Sequence, residues 1–138
     1  MSEKENTALI QRLYQAFGTG DLPTILDNLT DDVDWHYLGP EENPIGGKRR
    51  GRDQVKQFFE TMMQSLDVES FAPEEFIAQN DTVVVVGSQR MKVKRTAKGY
   101  EVAWVHVFNV SGGKVFRFRE FSDTAAVMAA HSPAAGAK

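Results

Sequence analysis

The sequence predicts an α+β domain in which helices cover one face of a curved antiparallel sheet. Three observations lead there. Apolar residues recur at helical intervals through most of the first 66 residues. Runs rich in β-branched and aromatic residues fill most of residues 68–121. The breaks between those runs are short, so the strands join as a meander. Helices first and strands afterwards is the order of an α+β layer packing.

Ser2 and Glu5 have the spacing of a capping box, and Leu9, Ile10, Leu13 and Phe17 follow at helical intervals. Gly18 and Gly20 end that helix. Asp21 caps a second, shorter one, with Pro23 in its first turn and Leu22, Ile25, Leu26 and Leu29 as its apolar positions. Val33–Leu38 is a strand, with Val33, Trp35 and Tyr37 on one face. Residues 39–51, rich in Pro, Gly and charge, read as a loop. From Asp53, the residues Val55, Phe58, Phe59, Met62, Met63 and Leu66 keep a 3.6-residue period, which predicts the clearest helix of the chain.

Val68–Gln79 is an irregular strand whose Pro73 calls for a bulge or a sheet edge. Asn80-Asp81 is a turn, Thr82–Val93 a strand, and Thr96–Gly99 the next turn. Tyr100–Val110 and Lys114–Phe121 are strands joined by a tight turn at Ser111-Gly112-Gly113. Asp123 caps a final helix through Ala130. Residues 1–131 are thus expected to form a single domain, and residues 132–138 a disordered tail.

The length of 138 residues and 41% hydrophobic content suit one domain with a real core. A net charge of -3 argues against a nucleic-acid partner. The absence of cysteine removes disulfides, thiolate metal sites and a cysteine nucleophile. His36, His106 and His131 lie far apart, without the spacing of paired ligands, so no metal is expected. Residues 46–51 (GGKRRG) lack the Ser or Thr of a phosphate loop, and no dinucleotide fingerprint is present, so no cofactor is expected either. No apolar run could span a bilayer and Met1–Asn6 carries no apolar signal, so a cytoplasmic protein without a membrane partner is the expectation.

The chemistry then falls to carboxylate and imidazole. Trp104, His106 and Phe108 share a strand face, and Phe116, Phe118 and Glu120 share a face of the next strand. If both faces are concave, His106 and Glu120 meet in an aromatic pocket. Burial there raises the carboxyl pKa, and the pair suits proton removal beside a carbonyl. A plain structural role stands beside this one, with Glu120 paired to Arg117, Arg119 or Arg90. Trp35 and Trp104 read as pocket walls or as core. Phe58, Phe59, Met62 and Met63 read as a helix-to-sheet core or an adaptable apolar pocket. Gln89, in phase with Gly87 and Met91, reaches a ligand if it points inward.

The order of elements and four segments, Tyr14–Leu22 (YQAFGTGDL), Asp31–Trp35 (DDVDW), Gly51–Phe59 (GRDQVKQFF) and Trp104–Asp123 (WVHVFNVSGGKVFRFREFSD), resemble the nuclear-transport-factor-2-like superfamily. The chain looks most similar to its SnoaL-like and ketosteroid-isomerase-like branch. That resemblance implies a cone-shaped fold with a deep pocket, and a homodimer formed through the open sheet face. It also implies catalytic roles for His106 and Glu120, which match the His and Asp of SnoaL-like cyclases, with Glu replacing Asp. The residues that a ketosteroid isomerase needs are replaced by Leu13, Tyr37 and His106, so that activity is not implied. The partner residues of an epoxide hydrolase fall near Gly87 and Gln89 and are also missing. Tyr14 and Tyr37 remain as groups for a polar ligand atom.

The expected function is therefore a cofactor-free acid/base enzyme, of cyclase or isomerase type, acting on a small apolar carbonyl compound. Glu120 and His106 would carry the chemistry. Tyr14, Trp35, Tyr37, Phe59, Gln89, Trp104 and Phe118 would bind the ligand. The alternative is a non-catalytic ligand-binding or protein-interaction module of the same fold.

Overall fold

The computed structural model describes residues 2–132. The expected tail beyond Ser132 lies outside the described residues. Among those described, no helix is long and apolar enough to cross a membrane.

Helix α1 (Glu3–Gly18) starts on the expected capping box. The Ser2 hydroxyl accepts from the Glu5 amide at 3.1 Å, and the Glu5 carboxylate accepts from the Ser2 amide at 3.0 Å. Its buried stripe includes Leu9, Ile10 and Leu13. Helix α2 (Leu22–Asp27) is capped by Asp21, which accepts from the Thr24 amide at 3.2 Å. It ends sooner than its apolar period suggests. The Asn28 side-chain amide donates to the Thr24 carbonyl at 2.7 Å, and the Asn28 carbonyl accepts from the Val115 amide at 2.9 Å. Leu29 is thereby drawn out of the helix and opens strand β1 (Leu29–Tyr37), facing Val115.

Part of the expected loop at residues 39–51 is a strand, β2 (Gly47–Arg50), paired antiparallel with β1. Its four residues carry no apolar alternation, so only the free edge of β1 makes them extended. Gly51, at φ 85, turns the chain into helix α3 (Arg52–Ser65). Val55, Phe58 and Met62 are buried beneath α3. Met63 is 61% exposed and does not join that core: it lies about 100° around the helix from Met62. Leu66, expected on α3, already begins strand β3 (Leu66–Gln79).

Strands β4 (Thr82–Val93), β5 (Gly99–Ser111) and β6 (Lys114–Ser122) complete the meander, and helix α4 (Thr124–His131) follows. The sheet has six strands in the order β2-β1-β6-β5-β4-β3, all antiparallel except the parallel pair β1 and β6. Pro73 sits on an edge strand beside a shift in register between Pro73 and Glu75, as its chemistry requires. Gly112 and Gly113, at φ 58 and 80, form the two-residue turn between β5 and β6.

A second irregularity decides the site. Between Asn109 and Val110 the register with β6 slips, so that Arg117 pairs with Asn109 and Val115 with Val110, leaving Phe116 unpaired. Val115 therefore turns inward, and Phe116 is 40% exposed and faces away from Phe118. Strict alternation, which grouped Phe116 with Phe118 and Glu120, fails at this bulge. Beyond it the register recovers, and Phe118 and Glu120 both point inward.

Helices α1 and α3 and the sheet's inner face enclose the core. Helix α1 packs on β3 and β4, α3 on β1 and β2, and α4 closes the far end over β5. The α1 start is tied to the β3–β4 turn, where the Asn80 amide donates to Glu3 at 2.7 Å.

Candidate functional site

The site lies where three inner rows of the sheet meet helices α1 and α3. One row runs Tyr37, Glu120, His106, Val85, Phe76 across five strands. The rows beside it carry Trp35, Phe118 and Phe108, and Ser122, Trp104 and Gly87. Glu120 thus has Tyr37 as its neighbour on one side and His106 on the other. All three are buried.

His106 is held by stacking and by one hydrogen bond. Its ring lies 3.9 Å from that of Trp104 at an interplanar angle of 17°. Trp104 in turn stacks on Phe71 at 5.0 Å. Phe118 meets the imidazole edge-on at 4.9 Å. The Nδ1 atom pairs with the Tyr14 hydroxyl at 2.8 Å, across the gap between β5 and α1. Burial pushes the His106 pKa down to about 3, so the imidazole is neutral. The same cause raises the Tyr14 phenol, which keeps its proton. This is a neutral dyad with one proton shared along its hydrogen bond.

Glu120 is fully buried, and burial raises its pKa to about 7. The nearby hydroxyls of Tyr37 and Ser122 work against that rise. Neither carboxyl oxygen makes a hydrogen bond of good geometry among the described residues. A group with both oxygens unsatisfied in the interior costs stability, so a role other than stability has to account for it. The Tyr37 and Tyr100 phenols are raised by burial and then by the Glu120 charge, so they stay protonated.

A chamber of about 70 Å³ lies against this row. Tyr14, Tyr37, Gln89 and His106 supply its polar atoms, and Trp35, Phe59 and Phe118 are among its apolar walls. Gln89 is buried with its Nε2 unpartnered and sits beside the Tyr37 hydroxyl. The chamber shares Tyr14, Phe17, Ile25, Phe59 and Phe71 with an outer depression of about 990 Å³ between α1, α3 and β3. Met63 and Val68 flank that depression and are exposed.

Of the residues singled out in the sequence, Tyr14, Trp35, Tyr37, Phe59, Gln89, His106 and Phe118 face this chamber. Trp104 and Glu120 do not line it. Trp104 stands behind His106 and Phe71, and Glu120 stands beside Tyr37. No hydrogen bond joins His106 to Glu120, whose strands pair them; His106 spends its Nδ1 on Tyr14. Tyr14 points to the sheet together with its neighbour Leu13, because α1 crosses the inner face closely enough for both to reach. Sequence reasoning missed Phe71, Tyr100 and Ser122. The last two were accessible by period-2 counting, Tyr100 from Trp104 and His106, and Ser122 from Glu120.

A six-stranded curved sheet, left open and covered by helices, is the cone of nuclear-transport-factor-2-like proteins. An NTF2-like protein of Burkholderia xenovorans is 32% identical and superposes with a TM-score of 0.88 over 96% of this chain and 99% of its own. TerC, co-crystallized with polyporic acid, is 28% identical, with a TM-score of 0.82 over 91% of this chain and 97% of its own. A candidate SnoaL-like polyketide cyclase of Mesorhizobium loti, 16% identical, shares the fold with a TM-score of 0.71 over 88% and 99% of the two chains. The family model described as the SnoaL-like domain matches residues 10–118. With that match covering both Tyr14 on α1 and His106 on β5, the chain belongs to the SnoaL-like domain family.

Proposed function

We propose that this protein is a cofactor-free acid/base enzyme, of cyclase or isomerase type, that moves a proton next to a carbonyl in an apolar compound. The observation that carries this reading is Glu120. It is a buried carboxyl with a pKa of about 7 and no hydrogen-bond partner of good geometry among the described residues, one residue across the sheet from two of the chamber's polar side chains, Tyr37 and His106. At neutral pH such a group is partly charged, so it can take a proton or return one. The Tyr14–His106 dyad, neutral throughout, offers a hydrogen bond to the carbonyl oxygen as charge builds there. The chamber alone is too small for a polycyclic compound, so the body of the ligand extends into the outer depression. TerC, with its polyporic acid, supports organic-acid-sized ligands in this fold.

The test is α-proton exchange in heavy water, followed by proton NMR on 2-tetralone, 2-indanone and related cyclic ketones. The parent is expected to accelerate exchange of at least one of them. Glu120→Gln is expected to lose about 100-fold or more of that rate with the fold intact. Unchanged exchange in the variant removes Glu120 from the chemistry. A non-catalytic binding module is the second reading, favoured by Glu120 standing outside the chamber lining. It predicts saturable binding of the same ketones without exchange.

We also infer that a second copy covers the outer sheet face. Ile77, Phe116 and Phe121 are exposed there at 54%, 40% and 39%. Charge is spread unevenly over the face, with Asp34 set among the cations of one end and Arg90 and Lys92 on β4 near the other. Lys48, Arg50, Arg117 and Arg119 stand at the β2-β1-β6 end without ion-pair partners among the described residues. Glu74 and Glu75 stand on β3 at the other end. A two-fold packing of the face on itself lays one end over the other. Sedimentation is expected to show a dimer that Phe121→Asp splits and that weakens with salt; a parent that stays monomeric at high micromolar concentration overturns this.

A further inference from the structure

Glu120 holds the proton chemistry in the reading above, yet it does not line the chamber. Tyr37 does. Its hydroxyl lies within reach of the Glu120 carboxyl on one side and the Gln89 amide on the other. Its Cα is paired with that of Glu120 between parallel strands, so the contact is set by the register of the sheet and not by a mobile loop. Tyr37 is itself 6% exposed, and the Phe58 ring packs on it at 5.3 Å in a tilted arrangement.

We propose that Tyr37 is the proton relay between a substrate in the chamber and Glu120, with Gln89 orienting its hydroxyl. This inference rests on the acid/base reading and adds a named path to it. In the forward step the substrate C–H bond breaks and its proton goes to the Tyr37 oxygen. The Tyr37 O–H proton passes at the same time to a Glu120 oxygen. The C–H electron pair becomes the C=C bond of an enolate, whose charge rests on the carbonyl oxygen beside the Tyr14–His106 dyad. The return step runs the same bonds backwards to a different carbon, or to the same carbon with a solvent-derived proton. Tyr37 ends each step as a neutral phenol. No tyrosinate forms, in keeping with the raised pKa of this buried phenol. Glu120 does not line the chamber, so direct attack would need its side chain to leave its place beside Tyr37.

The two hypotheses separate in one mutant cycle, read by exchange of the cyclic ketone. Tyr37→Phe is expected to lower kcat about 100-fold with KM changed little, because phenylalanine keeps the wall and removes only the relay oxygen. Tyr37→Phe/Glu120→Gln is expected to be no slower than either single variant, since the two act in series. The parent's rate rises with pH through the Glu120 titration. The titratable groups facing that carboxyl are Tyr37 from β1 and Tyr100 and His106 from β5, and none of these ionises near neutrality. In Tyr37→Phe this limb is expected to vanish.

A Tyr37→Phe variant that keeps both rate and limb, while Glu120→Gln is inactive, overturns the relay and leaves the acid/base reading standing. Losses that multiply in the double variant also overturn it. A parent that exchanges none of the ketones overturns both. Should Tyr37→Phe lose its fold, Gln89→Leu gives a second reading: the relay predicts a lowered kcat on the same pH limb, and an unchanged rate there overturns the relay as proposed.

Discussion

At pH near 9, Glu120→Gln is expected to be more stable than the parent by about 3 kcal/mol, although it is inactive. Burial raises the Glu120 pKa from 4.5 to about 7. In the unfolded chain the carboxyl ionises near 4.5, so between these values the folded state holds the proton more tightly. Folding stability from this group is complete below about pH 4.5, declines as pH rises, and is gone above about pH 7. Above that point the parent buries a charge whose oxygens have no hydrogen bond of good geometry. Glutamine has nearly the same shape and no charge to bury. Urea unfolding of both proteins across pH 4.5–9 measures the difference. It should be smallest at the acid end and widen through neutrality. The facing groups, Tyr37 and Tyr100 as phenols and His106 as neutral imidazole, do not titrate in that window. A gap that does not change with pH would place the carboxyl in water. The expected pattern, stability gained where turnover is lost, marks a group kept for its chemistry.

Gly87→Ala is expected to destabilise the fold by about 3 kcal/mol and to dismantle the dyad's support. Gly87 is paired with Trp104 on the neighbouring strand, and the indole lies across the space where a side chain would start. An added Cβ would fall well inside contact distance of Trp104 Cζ2 and 2.5 Å from the Ala72 carbonyl oxygen. The indole cannot retreat, being held between Phe71 and His106. It must turn out of its stack, and His106 then loses the plane that holds its ring against Tyr14. The near-ultraviolet circular dichroism band from Trp104 should weaken, and ketone exchange should fall, mainly through kcat. A variant with parental stability and dichroism would show that the indole has room that the packing denies it.

The fold was largely legible because its signals are local. The Ser2–Glu5 box, the Asp21 and Asp123 caps and the Gly112-Gly113 turn each act within a few residues, and each stands where the chain says it should, while the period of α3 holds at Val55, Phe58 and Met62. The misreadings are places where a distant partner decides. Strand β2 exists because β1 has a free edge, and Leu29 leaves its helix because Val115 hydrogen-bonds the residue before it. Phe116 turns outward because of a register slip that its own strand does not encode.

The site divides along the same line. Period-2 counting from the sequence puts Trp104 and His106 on one face, and Phe118 and Glu120 on one face, because alternation along a strand is a property of the backbone. It cannot say what lies across the gap. That Tyr14 holds His106 from ninety-two residues away, that Tyr37 and not Glu120 fronts the chamber, and that Trp104 stands behind His106 are set by where α1 crosses the sheet and by the parallel pairing of β1 with β6. The sequence by itself determined which chemistry is available: carboxylate and imidazole, with tyrosine hydroxyls for a polar ligand atom and no thiol. Only the tertiary structure decided which of these groups are charged and which meet, since burial and long-range pairing, not residue type, set both.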